Sequence, residues 1–534
     1  MPSRFIKQLD RLDKNTLIHE NHLSSWRSPA MRPSVGQVNA EANRLAAPRE
    51  GRTFRRNRAH ALWAPVVLLE LYLAFTVFIF FFGPVEWHAP SAAKLLVFLV
   101  VNYSGLWFGY SWGIRRGKTA LTHSKVGDVG VIRMPPQLMW VIIFSMGFTI
   151  ISDMVRLYAI RGDMGTFVSS FLNPGEAYRK SQELAQMDRE GGVMALANFS
   201  WAFRISTVLA VFNGLYFPLA LVCWRRMSIA YRVMFFVTLF CAIQFTVGLG
   251  AQSGIGVLVF ASLPVVLYKI YVIARPITGR PTSRIVAAKK RGSNPALAKM
   301  LVVASLCVLV ATVVFFQLDR AEESGRELNA VNEMGGQYAS PSEHGIVPVT
   351  GGRLNFGLVM ACNYVSHGYE GLALSMELPF EWTYGLGWSK ALQVILHDYL
   401  GGPDLFERSY LMRNSQENEW PNAWWSTIFP WIASDTTYYG TVLFMVLVGF
   451  LIARCWVNVI FTGNPIGFAV LAQMFTLVFM FPANNALAQT LEGFFSLIGV
   501  ISIYAGSWKY FSPARTSHRR GYASGSTFEP SVGM

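Results

Sequence analysis

Ten apolar runs dominate the chain, at 61–83, 92–114, 136–157, 196–223, 229–249, 254–274, 299–317, 437–457, 465–483 and 491–510. An α-helix needs about 20 such residues to cross a hydrocarbon layer. Hydrocarbon offers the backbone no hydrogen-bond partners, so a crossing segment is either helical or part of a closed barrel, and unalternating runs suit only the helix. The expected fold is an all-α polytopic membrane protein with about 10, and up to 12, transmembrane helices. An extra pair would come from "FGLVMACNYVSHGYEGLALSM" and "WSKALQVILHDYL", either of which can re-enter the membrane or lie flat on it. Composition agrees: 52% of residues are hydrophobic and 14% charged, where a soluble domain carries about 25%.

The charges orient the chain. Its net +15 is concentrated in the N-terminal stretch (Arg49, Arg52, Arg55, Arg56, Arg58), in 115–133, in the acid-free 275–299 with Lys289, Lys290 and Arg291, and in Arg515, Arg519 and Arg520. The segment 319–435 reverses the balance, with fifteen acids against six Lys or Arg. Basic short loops stay cytoplasmic, which puts both termini inside and the segments 158–195 and 318–436 outside. The layout expected is a disordered basic tail over 1–59, seven helices over 60–317, a large external loop over 318–436 with short amphipathic helices, three helices over 437–510, and a tail over 511–534. Residues 1–58 have no apolar core of a cleavable signal, so the first apolar run is expected to act as the anchor, with Met31 an alternative start. Charge placed in loops between spans does not make the basic face that a nucleic acid needs, and no nucleic-acid partner is expected.

Several chemistries are missing at the level of motif. The chain has no Walker loop, HExxH or GxSxG, and its five cysteines have no disulfide or metal spacing. The first external loop, "GPVEWHAP", holds one acid, Glu86, which disfavours a metal-dependent transferase built on an acidic first loop. Neither metal nor cofactor is expected. The external segments do offer cations: Arg179 and Lys180 in "NPGEAYRKSQELAQMDRE", then Arg353, Arg408 and Arg413. The guanidinium fork suits phosphate; paired with nearby Glu residues, the same cations would be ordinary loop charges. Within or beside the spans stand Glu70, Asp153, Arg156, Arg204 and Glu492, which face a cavity or form ion pairs, Arg204 with Glu492 or Asp153 with Arg156.

Two stretches draw attention as sites. In "YVSHGYEGL", His367 and Glu370 are three residues apart, on one face if the segment is helical, so the carboxylate could orient the imidazole as a general base. In "WPNAWWSTIFPWIASDTTYYG", Trp420, Trp424, Trp425 and Trp431 read as an interfacial belt. Pro421 and Pro430 speak against a continuous helix there, and Asp435 is either a helix N-cap or a group at the mouth of a cavity. If the substrate is a glycan, Trp424, Trp425 and Trp431 could also stack on its sugar rings.

This layout resembles the bacterial O-antigen and oligosaccharide repeat-unit polymerases of the Wzy type, which have ten to twelve helices and an oversized external loop bearing arginines. Thr427, Asp435, Tyr439 and Gly440 in "STIFPWIASDTTYYG" resemble the family segment leading into a transmembrane helix, where members usually have a tighter Asp-Phe-Gly arrangement, and "NYVSHGYEGL" is loosely similar to a Tyr and His-Gly segment of some members. An Arg-x10-Gly pattern seen in some members is absent at Arg353, since position 364 is Tyr. The resemblance implies a GT-C-like bundle in the bacterial inner membrane and a metal-independent glycosyltransferase. Its substrates would be polyprenyl-pyrophosphate-linked oligosaccharides, and a flippase and a chain-length regulator of the same pathway would be partners. It would place His367, Glu370 and Asp435 in catalysis, with Arg179, Lys180, Arg204, Arg353, Arg413, Trp424 and Trp425 binding substrate. The alternatives are an exporter or flippase of lipid-linked glycan, or an O-antigen ligase, although "WPNAW" lacks the His-Asn element of the ligases.

Overall fold

The computed structural model describes residues 35–122, 132, 134–161, 200–248, 253–273, scattered positions between 300 and 318, 339–342, 345, 353–420 and 426–511. The chain divides into two compact units, Met1–Thr53 and Phe54–Met534, and the helical bundle belongs to the second. In chain order the elements are helix α1 (Val35–Phe82), strand β1 (Val85–Trp87), α2 (Ala92–Thr122), α3 (Pro136–Arg161), α4 (Ser200–Val208), α5 (Val211–Cys223), α6 (Ile229–Gly248) and α7 (Ser253–Tyr268). There follow strand β2 (Ala339–Pro341), α8 (Arg353–Ser375), α9 (Lys390–Val394), α10 (Tyr410–Glu417), α11 (Ile428–Thr462), α12 (Ile466–Met480) and α13 (Leu491–Phe511). The strands form one antiparallel ribbon, with Glu86 opposite Ser340.

Among the described residues, five helical stretches are long and apolar enough to span a membrane: Ala59–Phe82, Ala92–Gly117, Pro136–Arg156, Gly254–Ile273 and Ile428–Thr462. Three shorter apolar helices, Ile229–Phe245, Ile466–Met480 and Leu491–Ser507, accompany them. The chain is a multi-pass helical membrane protein. Helix α1 illustrates why. Leu62, Val66, Leu69 and Leu73 make a buried stripe, while Leu71, Phe75, Phe78 and Phe82 make a second, exposed apolar stripe. A helix that is apolar on every side cannot face water.

The tightest seam joins α2 and α11. Gly105, Gly109, Gly113 and Gly117 recur every four residues along α2 and meet Val442, Val446, Phe450 with Ala453, and Val457 of α11 in the same order, so the two helices run parallel. A Cβ at Gly109 would lie 2.0 Å from the Val446 carbonyl oxygen, and one at Gly449 would lie 2.1 Å from that of Leu106. Small residues on both sides let the backbones touch, which is how helices associate where lipid removes the hydrophobic driving force. Polar bonds lock the seam and its neighbours. Thr441 donates to Asn102 Oδ1 (2.9 Å), Tyr110 to the Leu62 carbonyl (2.6 Å), and the Trp456 indole to the Ala61 carbonyl (2.8 Å).

The structure departs from the expected boundaries in four places. Helix α1 begins at Val35, inside the stretch expected to be a disordered tail; its Ala, Glu and Arg content favours helix. The run 196–223 is broken at Leu209 and Ala210 into α4 and α5. Helix α11 starts at Ile428 rather than 437 and runs through a kink at Thr437 (φ 60°, ψ 170°), with Pro430 in its first turn, where a missing N–H costs nothing. Within 318–436, the long helix α8 is no surface patch: Tyr369 accepts or donates to Thr76 and Tyr103 of the spans at 2.8 and 2.9 Å.

Candidate functional site

Helix α8 carries an inward polar stripe. Asn363, Ser366, His367 and Glu370 stand at i, i+3, i+4 and i+7, the spacing of one helical face, and all four are at most 1% exposed. A buried helix normally turns apolar residues inward; this one also turns in a carboxyl and an imidazole. Two glycines of the same turns bring other segments close. A Cβ at Gly368 would meet the Pro482 carbonyl oxygen at 2.1 Å, and one at Gly371 would meet Ser426 Oγ at 2.7 Å. The Thr427 N–H donates to the Gly368 carbonyl (3.3 Å) and the Ile428 N–H to that of Phe481 (3.0 Å). These bonds serve the open N-terminal end of α11 and pin three segments together.

The stripe sets the protonation of its two titratable members. Burial drives the His367 imidazole down to about 4, although its bond to the Asn363 carbonyl pulls the other way. That bond, Nδ1 to oxygen at 2.8 Å, requires the proton on Nδ1 and leaves the lone pair on Nε2. Burial pushes the Glu370 carboxyl up to about 8. Neither carboxyl oxygen of Glu370 has a hydrogen-bond partner among the described residues, and the same holds for Ser426 Oγ, Thr427 Oγ1 and Asn484 Oδ1. His367 and Glu370 share a face as expected from the sequence, but no hydrogen bond joins them, so the carboxyl does not orient the imidazole. Asn363 does.

Asp435 is neither an N-cap nor an open acid. It lies in the last turn of α11 before the kink, and its carboxylate clasps the turn Thr383–Trp388. Oδ1 accepts from Thr383 Oγ1 and from the Gly385 N–H (2.7 Å), and Oδ2 from the Trp388 N–H (3.0 Å). Arg413, expected to bind phosphate, is also committed. Its Nε and Nη2 hold Glu417 Oε1 at 2.9 and 2.8 Å, and Nη1 reaches the Pro379 carbonyl at 2.7 Å and Glu381 Oε1 at 3.3 Å. Buried behind these partners, it staples α10 to the segment 379–381. Arg413→Ala is expected to cost about 1–2 kcal/mol, since water can resolvate the half-exposed carboxylates. Arg413→Lys should fail to restore the staple, because an ammonium lacks the planar fork. Limited proteolysis between 376 and 420 reads both outcomes.

The remaining expected residues fall as follows. Arg204 is exposed, its guanidinium 5.4 Å from the centre of the Tyr399 ring. Glu492 pairs with Arg156 (2.9 Å) rather than with Arg204, and Ser206 and Thr207 bond the same pair. Arg179, Lys180, Trp424 and Trp425 lie outside the described residues, as does the side chain of Arg353, the first residue of α8. Trp420 and Trp431 are fully buried, so these two are core residues and not an interfacial belt: a Cβ at Gly371 would touch the Trp420 ring, and Phe406 packs on Trp431. Sequence reasoning missed Asn363 and Ser366, whose helical spacing with His367 and Glu370 was the available signal. It also missed the polar turn 481–490, where Asn485 donates to the Trp388 carbonyl (2.7 Å). Among the described residues no cluster of three or more His, Cys, Asp or Glu side chains could hold a metal ion.

No family model, no curated protein and no solved structure matches this chain.

Proposed function

We propose that the chain joins polyprenyl-pyrophosphate-linked oligosaccharide repeat units into a polymer at the outer face of the bacterial inner membrane, needing neither metal nor cofactor. The observation that carries this reading is the inward stripe Asn363–Ser366–His367–Glu370, a set of hydroxyl, amide, imidazole and carboxyl groups on a helix packed against the apolar spans. Hydroxyl-rich substrates on lipid carriers need such a combination. The reaction forms a bond from an acceptor hydroxyl oxygen to the anomeric carbon of the donor, breaks that carbon's bond to pyrophosphate oxygen, and passes the hydroxyl proton to a base. Glu370 is the better base of the two, because a proton acceptor works best when its pKa lies near the working pH, and about 8 is nearer than about 4. With Arg413 committed elsewhere, the departing pyrophosphate falls to Arg204, Arg353, Arg179 and Lys180.

The relative helix directions agree with the alternation that the expected layout of crossings would give. The parallel run of α2 and α11 is what two outward-to-inward crossings require. The contact of Tyr268 with Phe468 pairs the end of one run with the start of another, as antiparallel neighbours must. An exporter or flippase is the second reading, favoured by the Arg156–Glu492 pair beside buried Asp153 within the spans.

Deleting the gene and sizing lipid-linked and surface glycan tests the proposal. The expected result is collapse of a ladder to single repeat units, restored by complementation. Long polymer left on its carrier lipid indicates a ligase, and an unchanged ladder, with radiolabelled substrate moved but not lengthened, indicates a carrier; either result rejects polymerisation.

A further inference from the structure

The turn clasped by Asp435 presents aromatic side chains outward. Phe380, Trp382 and Tyr384 occupy alternate positions and are 42%, 53% and 57% exposed. The Trp382 and Tyr384 rings lean on each other with centroids 4.7 Å apart. Tyr384 holds φ at 56°, a left-handed conformation uncommon for a bulky aromatic side chain. The residues on either side of it, Thr383 and Gly385, are the ones bonded by Asp435, and the Thr383 N–H donates to the Ser434 carbonyl (3.3 Å). Strain of this kind persists only where the surroundings over-determine it. The clasp therefore spends the Asp435 carboxylate on presenting two aromatic rings outward.

The rim of the pair points to the occupant. Glu377, Glu381 and Glu417 are each about half exposed. Glu377 pairs with Lys94 and the other two with Arg413, and a carboxylate has roughly four lone-pair positions, so each can accept further hydrogen bonds. Aromatic faces beside hydroxyl acceptors fit a saccharide, whose C–H face packs on a ring while its hydroxyls donate to carboxylates. Anionic lipid headgroups would meet like charge instead.

We propose that the turn Pro379–Trp388 is a saccharide-binding platform that holds the acceptor glycan by stacking on Trp382 and Tyr384, with Asp435 as its positioning residue. This rests on the polymerase reading. The probe is the repeat-unit oligosaccharide released by mild acid from the lipid carriers of the deletion strain, titrated against the full chain in lipid nanodiscs. Trp382→Ala is expected to weaken binding about tenfold, the scale of losing one aromatic contact, and Trp382→Phe to retain most of it. Tyr384→Asn removes the ring while suiting the left-handed backbone, so its expected loss of similar size comes from the missing ring and not from a collapsed turn. Unchanged affinity in Trp382→Ala and Tyr384→Asn overturns the platform. So does quenching of Trp382 by brominated lipid that oligosaccharide does not relieve, which marks a membrane anchor. A wild-type chain that binds no oligosaccharide, in a system whose deletion still collapses the ladder, sinks the platform alone; an intact ladder in the deletion strain sinks the polymerase reading and the platform with it.

Discussion

Gly109→Val should leave the protein scarce in the membrane and thermally labile, whereas Gly105→Ala should be tolerated. Both residues lie on the four-residue glycine repeat of α2, and the difference between them is geometric. A Cβ at Gly109 would sit 2.0 Å from the Val446 carbonyl oxygen and 2.7 Å from its carbon. Those are backbone atoms inside a helix, so they cannot rotate away, and the two helices must part along their whole seam. At Gly105 the nearest atom is the Val442 carbonyl oxygen at 3.2 Å, a gap that a few tenths of an ångström relieves. Ordinary overpacking costs about 1–3 kcal/mol; parting a membrane seam held by van der Waals contact should cost on the order of 3 kcal/mol or more. The test compares abundance and thermal unfolding in detergent for the two variants. Equal stability of both would show that the seam does not hold the bundle together.

Five of the ten expected spans were legible because apolar length alone decides them. The seam was not read from the sequence, although "GLWFGYSWGIRRG" carries glycine at every fourth residue, a contact pattern before any partner is known. What could not be read locally was partnership at a distance. Asp435 finds its donors at Thr383, Gly385 and Trp388, and Arg413 its acceptors at Pro379 and Glu381. From the sequence, Asp435 offered a cap or a group at a cavity mouth and Arg413 a phosphate ligand or a loop cation, and neither pointed to these partners. Tryptophan is ambiguous for a related reason: it suits both a membrane interface and a core. The glycine at 371, which lets Trp420 settle against α8, decided for the core. The stripe on α8 shows the opposite case. Its spacing was in plain view, but four polar residues in a helix suggest solvent until the fold closes over them.

Glu370→Gln should abolish chain growth while leaving the protein at its normal level. The substitution keeps shape and hydrogen-bonding size but removes the proton acceptor, and loss of a general base costs about 10²- to 10⁴-fold. The wild-type pH profile gives an independent reading. A base must be ionised to act, and burial holds this carboxyl near 8, so activity should rise with pH and level off above about 8. A base at the ordinary carboxylate value of 4.5 would give a flat profile over the same range. The folded chain binds this proton more tightly than the unfolded one does. The stability it contributes is therefore complete below 4.5 and lost as pH rises through about 8. Glu370→Gln lacks that loss, so its unfolding midpoint should fall less than that of the wild type between pH 6 and 9, to the extent that this group sets the slope. Growth lost together with protein would make Glu370 a structural residue. Growth lost with protein intact, alongside a wild-type rise that levels off near pH 8, would make it the base.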